Sequence, residues 1–285
     1  MEKRVDWRQA PGPFLAILGP PLGWFLLFFA VPLAVVFAYS FGTNVGVADI
    51  RISGTFANYA RTLEPVYLGI LAKSLAIAAL ATLVSLLLGF PVAVAIALAP
   101  PRTRTILLVG IMLPFWTNLL IRTYALMTVL RDGGLVNSAL GALGLGPLPL
   151  LYNTAAVILG LVYIHLPFMV LPIWASLDRI DRSLIEASLD LGASHLATIF
   201  RIVLPLATPG ILAGVLLTFI PALGSYLTPD LMGGPDSQMI ANVIERQFKR
   251  ANDWPFGAAL AFLLVYLTLF ALAARALFRW PEPAA

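Results

Sequence analysis

The 285-residue chain contains no cysteine. That absence removes disulfides, thiol nucleophiles and thiolate metal ligands together. Histidine is nearly absent as well: His165 and His195 are the only two, too widely separated for a zinc-ligand spacing to be read. Charged residues make up 11% of the chain, where a soluble domain carries about 25%. No carboxylate falls within a long apolar run, which argues against the midplane acids of an ion-coupled secondary transporter. No Gly-Lys dipeptide occurs, so there is no Gly-x4-Gly-Lys-Ser/Thr loop to cradle nucleotide phosphates. Nor do an acid, a base and a metal ligand cluster at one depth, as membrane-embedded catalysis would require.

Apolar length is what the chain has in abundance. Hydrophobic residues account for 60% of it, and the mean hydropathy is +0.92. Six apolar segments stand out, at about 14–40, 68–98, 106–130, 152–177, 202–225 and 255–279. Each is long enough as a helix to cross about 30 Å of hydrocarbon. The pattern predicts an all-α polytopic membrane protein with six transmembrane helices. The first run is too long for a signal-peptide core of about 7–15 residues, so it reads as an uncleaved span. The second would reach about 46 Å at 1.5 Å per residue, and Gly89-Phe90-Pro91 supplies a kink within it. Trp254 and Trp280 bracket the last span at a separation suited to two interfacial belts.

An even number of spans puts both termini on one side. That side carries Lys3, Arg4, Arg8, Arg102, Arg104, Arg179, Arg182, Arg201, Arg275 and Arg279; the other carries Arg51, Arg61, Arg131, Arg246, Lys249 and Arg250 in longer loops. Cationic short connections stay in the cytoplasm, so both termini and the 178–201 loop are expected there. The net charge of +4 thus follows from topology, and no basic cluster interleaved with aromatics indicates nucleic acid. The expected organisation is a cytoplasmic segment 1–13, a first span with its external loop over 14–67, a core over 68–279, and a cytoplasmic tail 280–285.

Residues 178–205 form a polar interruption between two spans. Ser183 followed by Glu186 fits a capping box at a helix start. Leu184, Ala187 and Leu191 recur at helical spacing as an apolar face, with Arg182, Glu186 and Asp190 on another. Gly192 permits a left-handed turn, and Pro205 is expected in the first turn of the next span. The stretch resembles the EAA loop of bacterial ABC-importer permeases: Glu186, Ala187, Gly192, Ile202, Leu204 and Pro205 all fall in register, with Ser188 replacing the second Ala. The resemblance implies that this short helix docks on an ATPase subunit. Glu186 would then orient the interface and Gly192 form the elbow, with Ala187, Ser188, Asp190, Ile202, Leu204 and Pro205 completing the element.

Further stretches resemble spermidine/putrescine-type permeases of the first-subunit kind: Leu113 to Ala125 (LPFWTNLLIRTYA), Gly89 to Ala93 (GFPVA), Ile220 to Gly234 (IPALGSYLTPDLMGG) and Met239 to Ile244 (MIANVI). The resemblance spans nearly the whole chain and is weakest before residue 68. It implies a type I ABC-importer permease in a bacterial inner membrane, moving a small organic cation, polyamine-like, by alternating access. Implied partners are two ATP-binding subunits, a second similar permease, an external substrate-binding protein and membrane lipid. ATP and Mg would be used by the partner ATPase, with no cofactor bound by this chain. Ferric iron, phosphonate or an opine remain alternative solutes, because the EAA-like loop reads the motor and not the cargo.

The polar residues within the apolar runs carry two readings each. Arg122 either snorkels or pairs with an acid, or else it sits on the translocation path. With Phe115, Trp116, Asn118, Tyr124, Tyr226 and Asp230 it makes up the candidate pathway or gate. Lys73 is expected to snorkel, and His165 to be a neutral, hydrogen-bonded core residue. Gly210 and Gly214 form a GxxxG pair suited to close helix packing. Asp236 and Glu245, beside Tyr226, Asp230 and Trp254, would contact either an organic cation or an external binding protein.

Overall fold

The computed structural model describes residues 11–46 and 49–277. Lys3, Arg4, Arg8, Arg279, Trp280, most of the 1–13 segment and all of 280–285 lie outside them. Four helices have the length and apolar composition to cross a membrane: α1 (Leu15–Tyr39), α3 (Pro65–Leu98), α7 (Thr154–Leu177) and α9 (His195–Leu223). Between them lie α2 (Ala57–Thr62), α4 (Pro101–Trp116), α5 (Leu119–Leu130), α6 (Leu135–Ala142) and α8 (Arg182–Asp190). Three more follow: α10 (Leu227–Met232), α11 (Ile240–Lys249) and α12 (Trp254–Leu277). The apolar stretch Trp254–Phe270 within α12 is shorter than the four long ones. Contacts divide the chain into two units, residues 65–243 on the one hand and 1–64 with 244–285 on the other.

In the unit made of both ends, Phe37 of α1 meets Phe262 of α12 edge-on at 5.0 Å. A short antiparallel hairpin pairs β1 (Gly42–Asn44) with β2 (Ile50–Ile52). Asp253 accepts from the Arg61 guanidinium at 2.8 Å and from Asn44 Nδ2 at 3.4 Å. Arg61 also stands over the Phe256 ring at 3.9 Å. One carboxylate thereby ties α2 and the hairpin to the start of α12.

In the central unit α3, α7 and α9 pack as a bundle. Its core holds Ala93 and Ile96 of α3, Met169, Val170 and Ile173 of α7, and Val203 and Ala207 of α9. Lipid supplies no hydrophobic drive between helices, so small residues that admit close backbones decide the seam. Here they do: a β-carbon on Gly214 would lie 2.9 Å from Met169 Sδ, and one on Gly89 would lie 3.1 Å from Met169 Cγ.

Two expectations about helix starts and breaks give way. The segment 106–130 is not one continuous helix: α4 and the arm Leu119–Ala142 meet at 101°. Pro114 sits in a tight 3-10 turn, Leu113–Trp116, after which Thr117 is extended. Thr117 Oγ1 donates to the Pro114 carbonyl at 2.7 Å, and Asn118 accepts from the Leu120 N–H to cap α5. A Thr-Asn pair thus ends one helix and begins another inside an apolar run. Pro205, in turn, does not open a span. It lies inside α9, just beyond a π-helical turn, Ile199–Val203. The wider turn accommodates the residue that lacks an N–H, so the helix continues. The same device recurs in α1, where the π turn Leu26–Ala30 precedes Pro32.

Candidate functional site

Two groups of side chains emerge in the central unit. The first is the interruption between α7 and α9. Asp181, not Ser183, caps α8: its carboxylate accepts from the Ser183 N–H at 3.0 Å, two residues earlier than the capping box anticipates. The Ser183 backbone N–H, then its hydroxyl, hold the Asp181 carboxyl below the usual aspartate range. Glu186, Ala187 and Asp190 are exposed on α8, while Ser188 is buried. The apolar residues Leu184 and Leu191 point outward, Leu191 being 89% exposed. Gly192 takes φ +84°, the left-handed conformation in which a side chain is strained. The chain then turns into α9, capped by Ser194 accepting from the Ala197 N–H at 3.3 Å.

The substitution of Ser for Ala at 188 has a structural partner. Ser188 Oγ lies 2.9 Å from Thr198 Oγ1 in a buried hydroxyl pair, joining α8 to the first turn of α9. Ile202 and Leu204 are half-buried along α9 and Pro205 is exposed. Sequence reading missed Thr198 and Asp181. The signal for the latter was an Asp two residues before a Ser at a helix start.

The second group lies at the bend between α4 and α5. Phe115 and Phe168 meet edge-on at 5.2 Å, and the Arg122 guanidinium stands 5.5 Å from the Phe115 ring centroid. Arg122 is only 9% exposed and its Nε has no hydrogen-bond partner. Among the described residues no carboxylate is within ion-pairing distance of it. His165 lies within electrostatic reach of Arg122, is buried, and places Nδ1 2.9 Å from the Leu161 carbonyl. Trp116 is 84% exposed, and Asn118 and Tyr124 are exposed beside it. Lys73 reaches out to the Asp236 carbonyl at 2.9 Å.

Tyr226 and Asp230 stand apart from the bend, at the corner between α9 and α10. Both are exposed, and the Tyr226 carbonyl accepts from Asn242 Nδ2 at 2.8 Å. Met232 of α10 packs with Leu130 of α5, with Leu126, Met127 and Leu231 around them. Glu245 is engaged by Lys249 at 3.0 Å. Asp236, at the turn that Lys73 reaches, is exposed. Among the described residues no group of His, Cys, Asp or Glu could hold a metal ion.

An apolar helical bundle with a broken span and a polar helix tied to a long one is the framework of a multi-pass membrane protein. The chain belongs to the family of binding-protein-dependent transport system inner membrane components, whose model matches residues 66–284. It is 44% identical to the spermidine/putrescine transport system permease protein PotB of Escherichia coli (strain K12) over 245 residues, 85% of this chain and 89% of that one. The corresponding protein of Haemophilus influenzae is 39% identical over 86% of each chain. The crystal structure of a bacterial ABC transporter that imports the acidic polysaccharide alginate shares the fold, with TM-score 0.69 at 19% identity, covering 96% of this chain and 99% of that one. The chain is accordingly a multi-pass inner-membrane permease subunit of an ABC importer.

Proposed function

We propose that this permease carries a small organic cation, a polyamine of the spermidine/putrescine kind. The observation that carries this reading is the 44% identity to a spermidine/putrescine permease, sustained over most of both chains. Six spans complete the topology, with the bent pair and α12 supplying the fifth and sixth and residues 68–279 forming the permease core. Both termini and the 178–201 segment face the cytoplasm. A second similar permease encloses the pathway, an external binding protein delivers the cargo, and two ATPase subunits, using ATP and Mg, drive the cycle. Membrane lipid surrounds the assembly.

Within this reading α8 is the element that meets the ATPase. Its exposed Leu184 and Leu191 form an apolar docking face with Glu186 on another face, and Gly192 is its elbow. The Ser188–Thr198 contact and the continuity of α9 past Ile202, Leu204 and Pro205 support rigid transmission into the membrane. The bend at residues 116–118 is the candidate gate, with Phe115, Trp116, Asn118, Arg122 and Tyr124 around it and Tyr226 and Asp230 at the external corner. Non-helical backbone at membrane depth is tolerated where it lines a cavity or is buried in protein.

The test is uptake of radiolabelled spermidine and putrescine by cells carrying the whole transporter, with wild-type or Glu186→Arg/Gly192→Pro permease. Uptake by wild type and none by a normally inserted double variant supports both cargo and docking element. An assembled, ATP-hydrolysing complex that takes up no polyamine overturns the cargo. Full uptake by the double variant overturns the role of residues 186–205.

A further inference from the structure

The polar segment that precedes α8 is also fastened sideways to a different membrane element. Asp178 is the C-cap of α7, its N–H reaching back to the Trp174 carbonyl at 2.8 Å. Its carboxylate forms an ion pair with Arg104, which lies in the first turn of α4 just after Pro100 and Pro101. The same guanidinium stands 5.0 Å from the centre of the Trp174 ring. Arg104 is thus held by two partners one helical turn apart on α7. Only three residues, Arg179 to Asp181, separate Asp178 from the start of α8. At the other end of α4, Pro114 to Asn118 make the bend that carries Phe115 and Trp116.

A cavity of about 130 Å³ lies behind this clasp, lined in part by Leu98, Asp178, Ile185 and His195. Ile185 of α8 borders this pocket, so the helix is not packed solidly on that side. Ala99 and Pro100 are all that join α3 to α4, so a sideways pull on the first turn of α4 is resisted locally and passed along its axis. The ion pair itself is partly exposed, 26% at Arg104 and 40% at Asp178. Pairs of that kind add little to stability, so the fold does not depend on it.

We propose that Arg104 is a positioning residue which, through Asp178, carries displacement of the α8 segment along α4 to the bend at residues 116–118. This is a second mechanical connection, parallel to the one through the Ser188–Thr198 hydrogen bond and α9. It rests on the reading that α8 receives the ATPase.

The experiment uses the complete transporter in proteoliposomes, measuring polyamine uptake and ATP hydrolysis together for Arg104→Ala, Asp178→Ala, the double variant and the exchange Arg104→Asp/Asp178→Arg. Each single variant should lower uptake per ATP by about 2- to 30-fold, the range for residues on a coupling route, with ATP hydrolysis retained. The double variant should be no worse than either single one, and the exchange should recover most of the loss. Arg104→Lys, which keeps the charge but not the planar stacking on Trp174, should fall between wild type and Arg104→Ala. Unchanged uptake per ATP, additive losses in the double variant, or an exchange that recovers nothing would each overturn the proposal. Glu186→Arg, scored by ATPase-subunit binding, separates the two levels: if it releases the ATPase while the Arg104 series is silent, the docking reading stands and the clasp alone fails.

Discussion

A β-carbon on Gly210 would lie 2.5 Å from the carbonyl oxygen of Pro172 and 2.6 Å from Ser176 Cβ. The first of these neighbours is backbone and cannot rotate away. The seam between α7 and α9 is therefore set by the absence of a side chain at one position, with Gly214 repeating the pattern one turn on.

Gly210→Ala should cost about 1–3 kcal/mol, the range for overpacking a close seam. The readout is the thermal transition of the purified protein in detergent. Gly69→Ala is the control: it lies in α3 with nothing within 4 Å of the added carbon, and should change stability by less than about 0.5 kcal/mol. Equal transitions for the two variants would contradict the close approach.

The Ser188–Thr198 hydroxyl pair should contribute modestly. Ser188→Ala costs about 0.5–1.5 kcal/mol, toward the lower end, because Thr198 Oγ1 keeps the Ser194 carbonyl at 3.2 Å. A double-mutant cycle with Thr198→Val tests whether the two act as one contact. Strictly additive single effects would mean that they do not.

Arg122 is a buried cation that faces the Phe115 ring and lies within electrostatic reach of His165. Exchanging a poorly compensated buried charge for an apolar side chain of similar length is commonly neutral or stabilising. Arg122→Met should therefore melt no lower than wild type, and any loss of uptake would then be a transport effect. A clear drop in melting temperature would show that the guanidinium is satisfied by something outside this chain.

The Asp181 cap is predicted to depend on pH in one direction. Its carboxyl is held below the ordinary aspartate value of 3.8, so the folded state binds the proton less readily than the unfolded one. The stabilisation is fully present above that value and is lost as the pH falls through the lower, folded value. Amide exchange across 182–190 should be faster in Asp181→Ala than in wild type at neutral pH. The difference should narrow in acid below the folded value. A difference that persists unchanged there would mean that the charge does not matter to the cap.

The apolar runs, the Gly210-Gly214 pair and the left-handed turn at Gly192 were all legible in the sequence, because each rests on hydrophobicity or on a residue with one conformational use. The bend at 116–118 was not. Hydrophobic length reports that a segment avoids water, not which way it points, and Thr117-Asn118 is too short to interrupt the run. The continuity of α9 was hidden for a related reason: Pro205 signals a helix start unless a wider turn precedes it, and nothing in Ile199–Val203 announces one. Arg122 carried two opposed readings because depth along a helix does not determine which side the side chain leaves from. Its burial beside the Phe115 ring is visible only in three dimensions.

The 101° turn after Trp116 trades depth for breadth. α4 advances about 24 Å along its own axis in sixteen residues. α5 uses twelve residues, about 18 Å of helix, and at 101° it runs almost straight across that axis, doubling back along it by only about 3 Å. Phe115, Trp116, Arg122 and Tyr124 therefore occupy one thin slab rather than a staircase. If the bend is the gate, as proposed above, a solute moving parallel to α4 would meet them together, as a single checkpoint, and the discrimination it undergoes there would be made once.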